Sequence, residues 1–185
     1  MFKQEGIIMA GFGGQGIMFM GMLLAHGGML EGKEVTWMPS YGPEMRGGTA
    51  NCTVIISRER IASPVIRVPD TLIAMNFPSL EKFEPQLKEG GLLLYNSSLI
   101  NTPPERQDLE LLGLNVNEQA EELGEERVLN MVALGAYLGC RPVVALESVQ
   151  ASLEKVLPEK RHHLIEINER ALERGKSLAV DLSLV

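Results

Sequence analysis

The sequence predicts an α/β fold, a Rossmann-like three-layer domain with a mostly parallel sheet and helices at its C-terminal end. Three observations predict it. Short apolar runs of strand composition alternate with helical segments. The first run ends at a glycine cluster that opens a helix. The tail reads as two amphipathic helices separated by Pro158. At 185 residues and 20.3 kDa, one domain is expected over 1–185, its helical C-terminal part at about 146–176.

In chain order, Ile7-Ile8-Met9-Ala10 reads as a fully buried strand. A helix follows from Gln15 to Met29, weakened by Gly27-Gly28 and stopped by Gly32. Glu34 to Met38 is a strand halted by Pro39, and the next residues, to Thr49, are too rich in Gly and Pro for regular structure. Ala50 to Ser57 has strand composition, and Asp70 to Asn76 reads as a buried strand. Ser79 is the expected N-cap of a helix to Lys88, closed by Gly90-Gly91. Leu92 to Tyr95 and Leu114-Asn115-Val116 are read as strands, with a helix from Asn117 to Leu123. An apolar helix spans Val128 to Leu138, and amphipathic helices cover Leu146 to Val156 and Glu159 to Arg174.

Composition excludes several classes. A net charge of −7 and a pI near 5.1 carry no basic stripe for nucleic acid. The uncharged segment Gly6 to Leu30 is broken by eight glycines, and its longest run, Ile17 to Leu30, is shorter than the about 20 residues that span a bilayer. No membrane span or leader is expected. The two cysteines, Cys52 and Cys140, are too few for an iron–sulfur cluster or a structural zinc, and a reducing cytoplasm is the expected compartment. Cys52 reads as a small buried hydrophobe, His162 and His163 as part of a solvated helix face, and His26 as a core residue. Eight carboxylates and one arginine lie between Glu105 and Glu126, a solvated face that would repel an acidic electron carrier.

Gly11-x-Gly13-x-x-Gly16, between a predicted strand and helix, is placed to turn tightly, approach a phosphate and pack helix on sheet. The same glycines can equally serve strand–helix packing alone. A dinucleotide site also needs a ribose-holding carboxylate at the end of the second strand. Met38, Pro39 and Ser40 stand there instead. A Walker loop is excluded, since no Gly-Lys-Ser/Thr follows. The helix from Ile17 to Leu30 has His26 as its only polar side chain, so the face turned from the sheet must meet another helix or another polypeptide. With eight of the ten methionines in the first 45 residues, a protein interface is the expectation.

Two motifs together, Gly11-Phe-Gly-Gly-Gln-Gly16 and Tyr41-Gly-Pro-Glu-Met-Arg-Gly-Gly48, resemble the gamma subunit of 2-oxoacid:ferredoxin (acceptor) oxidoreductases, and Asn130-Met-Val-Ala-Leu-Gly135 extends the likeness. The lead-in Pro39-Ser40-Tyr41 is most like the 2-oxoglutarate enzymes. The resemblance implies a multi-subunit enzyme that decarboxylates a 2-oxo acid, forms acyl-coenzyme A and passes electrons to ferredoxin or another acceptor. It implies thiamine diphosphate with magnesium on the catalytic subunits, iron–sulfur clusters on a ferredoxin-like subunit, and no cofactor bound by this chain alone. By the same resemblance Gly11, Gly13, Gly14, Gln15 and Gly16 form one site loop. Tyr41, Gly42, Pro43, Glu44, Arg46, Gly47 and Gly48 form the other. Arg46 can hold a carboxylate or phosphate with Glu44 orienting it, or the two can form an internal ion pair. No catalytic residue is assigned. A stand-alone nucleotide-binding oxidoreductase and an assembly subunit without a ligand remain the alternatives.

Overall fold

The computed structural model describes residues 3–40, 49–102 and 104–182. Six strands form one sheet: β1 (Gln4–Phe12), β2 (Glu34–Ser40), β3 (Thr49–Ser57), β4 (Thr71–Ala74), β5 (Leu92–Asn96) and β6 (Glu110–Leu114). Their order is β2-β3-β1-β4-β5-β6. β1, β4, β5 and β6 pair in parallel, while β3 runs antiparallel to both its neighbours, β1 and β2. Five strands therefore point one way, and β3 alone is reversed.

Central position explains the composition of β1, whose seven residues from Glu5 to Gly11 are all buried. Ile7 and Met9 face one side of the sheet with Cys52, Val54, Ile56, Ile73 and Leu94. Ile8 and Ala10 face the other with Leu72, Ala74 and Leu93. The first side carries α1 (Ile17–Leu30), α3 (Val116–Glu122) and α4 (Leu129–Cys140), with α5 (Leu146–Val156) packed over α1 and α6 (Ile165–Leu182) over α4. The second side carries α2 (Phe77–Phe83) with Leu87 and Ile100.

The outer face of α1 is thus covered largely from within the chain. A Cβ at Gly27 would lie 2.9 Å from Val149 of α5, while one at Gly21 would lie 2.5 Å from the Cys52 sulfur on β3. These glycines let α1 sit close to both layers, which is why an intrinsically weak helix survives here. Met29 and Leu30, at its last turn, remain exposed. Packing of α5 on α1 thus supplies much of the second covering surface that the apolar helix requires.

Several boundaries differ from expectation. α1 begins at Ile17, since Gln15 and Gly16 belong to the turn. β2 runs through Pro39 to Ser40, because an edge strand tolerates a missing N–H. Asn76, and not Ser79, caps α2, its side chain accepting from the Ser79 amide at 2.9 Å. The last strand is Glu110–Leu114 and not 114–116, with Leu112 and Leu114 turned into the core. Glu159–Leu164 is a 3-10 helix that carries His162 and His163, and α6 continues past Arg174 to Leu182. In the acidic stretch, Asp108, Glu110, Glu122 and Glu125 each pair with an arginine. The bidentate Arg127 fork and the Arg127 amide hold the Glu125 carboxyl down at about 2.

Glu5 is the buried exception among the acids. It is 7% exposed and accepts a hydrogen bond from Thr71 Oγ1 at 2.7 Å. Burial, reinforced by the Asp70 charge, outweighs that bond and raises its carboxyl above the usual range. The folded chain therefore binds this proton more tightly than the unfolded one. Stability from this group is full below the ordinary carboxylate range and declines as pH climbs toward the raised value. Glu5→Gln keeps an acceptor for Thr71 and removes the charge. It is expected to melt higher than wild type at neutral pH and to match it at about pH 4. An equal difference at both pH values would contradict this account.

Candidate functional site

The carboxyl ends of β1 and β4 hold the glycine loop. Phe12 ends β1, and the chain turns with the Gln15 amide donating to the Phe12 carbonyl at 3.2 Å. The Gln15 side chain locks the turn from inside: the Phe12 amide donates to its Oε1 at 2.7 Å, and its Nε2 donates to the Met75 carbonyl at 3.2 Å. Gly11 leaves no room for a side chain, since a Cβ would meet Gln15 Oε1 at 2.5 Å and Met75 Cβ at 2.8 Å. Positive φ falls at Gly14 (+104°) and Gly16 (+71°) and not at Gly13, so the conformational demand lies on the last two glycines.

Gly16 caps α1 with no side-chain cap, so the first helical N–H groups stay open toward the loop. Its carbonyl accepts from the Met20 amide at 2.9 Å and from Asn130 Nδ2 at 3.2 Å. Asn130 is itself buried at the first turn of α4, its Oδ1 accepting from the Met131 amide at 3.0 Å. An open groove of about 270 Å³ adjoins the loop, with Gly14, Gly16, Phe19, Glu125, Arg127 and Arg161 on its walls beside Asn130. The Arg127 fork is closed on Glu125, so the open N–H groups, the Arg161 guanidinium and the Phe19 ring are what suit an anion with an apolar body.

Tyr41, Gly42, Pro43, Glu44, Arg46, Gly47 and Gly48 lie outside the described residues, but both ends of that segment are in place. Ser40 pairs with Asn51 across β2–β3, and Thr49 pairs with Phe12 across β3–β1. Thr49, the residue after the second motif, therefore lies opposite Phe12, the second residue of the first motif, at the same edge of the sheet. Around that edge Phe12, Met38, Phe77 and Leu99 are exposed.

A nicotinamide site of the usual kind does not assemble. The strand that would carry the ribose carboxylate, β2, is separated from β1 by β3, about 10 Å away at ordinary strand spacing. Met38, Pro39 and Ser40 at its end bring no charge. Cys52 is fully buried on β3, and burial pushes its thiol up to about 12, so no thiolate is available at neutral pH. Among the described residues no three His, Cys, Asp or Glu side chains gather for a metal ion. Cys52 and Cys140 stand on β3 and at the end of α4, an arrangement that does not fit an iron–sulfur cluster. No described helix is long and apolar enough to cross a membrane.

Sequence reasoning missed the part that Asn130 plays, although the resemblance quoted it. A polar side chain opening an otherwise apolar helix was the available signal. It missed Met75 as well, whose contribution is a backbone carbonyl and so leaves no mark on residue type.

Comparison with known proteins agrees with this geometry. The ketoisovalerate oxidoreductase subunit VorA of Methanothermobacter marburgensis is 36% identical over 178 residues, which cover 96% of this chain and 37% of that relative. The chain thus spans little more than a third of the length of that curated relative. A gamma subunit of a keto/oxoacid ferredoxin oxidoreductase from Geobacter sulfurreducens PCA superimposes with a TM-score of 0.83 at 32% identity, covering 96% of this chain and 99% of that one. A 2-oxoglutarate:ferredoxin oxidoreductase from Magnetococcus marinus, solved with 2-oxoglutarate, coenzyme A and succinyl-CoA bound, gives 0.87 at 26% identity, covering 97% of this chain and 31% of that one. Residues 6–178 match one family from the first strand to the last helix, and on that match the chain belongs to the pyruvate ferredoxin/flavodoxin oxidoreductase family.

Proposed function

We propose that the chain is the gamma subunit of a multi-subunit 2-oxoacid:ferredoxin (acceptor) oxidoreductase in the cytoplasm, with 2-oxoglutarate as its oxo acid and an acyl-coenzyme A as product. The observation that carries this reading is the pairing of Phe12 with Thr49, which brings the start of the first family motif and the residue after the second to one edge of the sheet. Thiamine diphosphate with magnesium on catalytic partner subunits supplies the decarboxylation chemistry, and iron–sulfur clusters on a ferredoxin-like partner carry the electrons. This chain contributes binding and shape as one domain over 1–185. The loop Gly11–Gly16 and its groove present N–H groups and the Arg161 guanidinium to the phosphates of coenzyme A. The motif Tyr41–Gly48, with Arg46 as its cation, is joined to that edge at Ser40 and at Thr49. The exposed Phe12, Met38, Phe77 and Leu99 form the apolar surface that the catalytic subunits cover.

The test is capture of the chain from native extract, followed by reconstitution. Thiamine-diphosphate-binding chains and a ferredoxin-like chain are expected to co-purify. The assembly should reduce a viologen dye with 2-oxoglutarate and coenzyme A, while this chain alone should not. Arg46→Ala should lower kcat/KM for coenzyme A by about tenfold or more, the effect of losing a charged hydrogen bond. Arg170→Ala, on the exposed side of α6, should not. Preference for ketoisovalerate would correct the substrate. A monomer that gains no activity on mixing, or that binds NADH or NADPH tightly, would remove the subunit reading.

A further inference from the structure

One carbonyl oxygen at the end of β4 joins three elements. Met75 continues the β1–β4 ladder by one residue, its amide donating to the Ala10 carbonyl at 2.8 Å. Its own carbonyl accepts Gln15 Nε2 from the glycine loop at 3.2 Å and Asn96 Nδ2 from β5 at 3.4 Å. Asn96 is fully buried and uses both ends of its amide. Its Nδ2 also donates to Asn117 Oδ1 on α3 at 2.9 Å, and its Oδ1 accepts from the Ser98 amide at 3.1 Å. The glycine loop is therefore tied through a single shared acceptor to residues more than 80 positions away in the chain.

We propose that Asn96 and Asn117 are positioning residues for the glycine loop, acting through the Met75 carbonyl that Asn96 and Gln15 share. A buried amide with all of its partners in place costs little, but one with a partner removed is expensive, so each member of the series constrains the next. Asn117 orients the Asn96 amide, Asn96 fixes the Met75 carbonyl, and that carbonyl fixes Gln15, whose Oε1 holds the Phe12 amide. The loop then presents Gly14, Gly16 and the open end of α1 in one conformation and not as an ensemble. Neither Asn96 nor Asn117 lines the groove, and neither belongs to the two family motifs. This role rests on the functional reading of the loop given above, and the experiment separates the two.

Asn117 is the residue to change, because it is only half-buried, whereas truncating the buried Asn96 invites misfolding. Amide hydrogen exchange is followed over residues 12–16 in the full chain, free and in the assembled complex. Asn117→Ala is expected to speed that exchange by about tenfold, the effect of one lost hydrogen bond. Asn117→Asp, which keeps an acceptor for Asn96 Nδ2, should restore slow exchange. Asn115→Ala, at the same helix start but outside the series, should leave the loop unchanged. In the complex, Asn117→Ala should raise KM for coenzyme A with kcat retained. Unchanged exchange at 12–16 in Asn117→Ala would overturn the proposal, leaving that bond a local tie between β5 and α3. Faster exchange with unaltered kinetics would uphold the positioning role and overturn the functional reading of the loop instead.

Discussion

Alanine in place of Gly135 is expected to cripple folding, although the same change in an open helix would help it. In an exposed helix interior, Gly→Ala gains about 1 kcal/mol. Here the added Cβ would lie 2.0 Å from the Leu172 carbonyl oxygen and 2.7 Å from its carbon, and both atoms are backbone of α6. Gly175 makes the reciprocal approach, its Cβ position 2.0 Å from the Val132 carbonyl oxygen of α4. The two helices touch through glycine, and neither backbone can yield without separating the pair. Buried around that contact are Met131, Val132, Leu134, Ala171 and Leu172. A penalty of about 4 kcal/mol or more is expected, against total stabilities of about 5–15 kcal/mol. For a domain of this size that lowers the thermal midpoint by roughly 8–16 °C, or abolishes soluble expression. Gly124→Ala is the control. Its φ is +84° with open space around it, so only the backbone strain of about 1–2 kcal/mol applies. Equal midpoints for the two variants would refute the close-contact account.

The second large effect belongs to Gly16. A Cβ there would meet Asn130 Nδ2 at 2.3 Å, and φ at +71° disfavours any side chain. The colliding atom is the end of a side chain, so Asn130 can swing away, at the cost of its bond to the Gly16 carbonyl. Strain of about 1–2 kcal/mol and a lost hydrogen bond of about 1 kcal/mol add to roughly 2–3 kcal/mol for Gly16→Ala. Asn130→Ala removes the obstacle, so the double variant should be less damaged than the sum of the singles. Additivity in denaturant melts would show that the two residues do not communicate. Gly14→Ala, with φ at +104° and nothing within 4 Å, should suffer strain alone. If the loop serves the complex, Gly16→Ala should lower turnover further than its stability loss explains.

The parallel core was legible because its strands announce themselves. Ile7 to Ala10, Leu72 to Ala74 and Leu92 to Leu94 are apolar on both faces, a pattern that only strands covered on both sides require. The position of the glycine loop was legible because its glycines sit between strand and helix. The direction of β3 was not legible, since Ala50 to Ser57 has the same composition whether it runs with its neighbours or against them. The two-sided burial of α1 was half-legible. Its lack of polar residues required a second covering surface, but only the packing of Gly27 on Val149 identifies that surface as α5. Asn76 was mistaken for strand because a cap residue is itself extended, here with φ at −152° and ψ at 162°. The ties that hold the glycine loop were the least visible, since Met75 acts through its backbone and Asn96 reads as an ordinary strand-end polar residue.

The reversal of β3 makes the alignment of two distant segments a single all-or-none choice. Side chains alternate along a strand, so deleting one residue within β3 would carry Cys52, Val54 or Ile56 out of the α1 side and onto the opposite face. The same slip would draw Thr49 away from Phe12 and shift the end of the 41–48 segment relative to the glycine loop by one residue, about 3.4 Å. Misplacing the second motif is therefore inseparable from unpacking the centre of the molecule. An insertion between Ser40 and Thr49 leaves the strand register itself intact, because a connection between antiparallel neighbours can lengthen while both strands stay where they are. The sheet fixes Ser40 and Thr49, the two points from which that segment must start and finish.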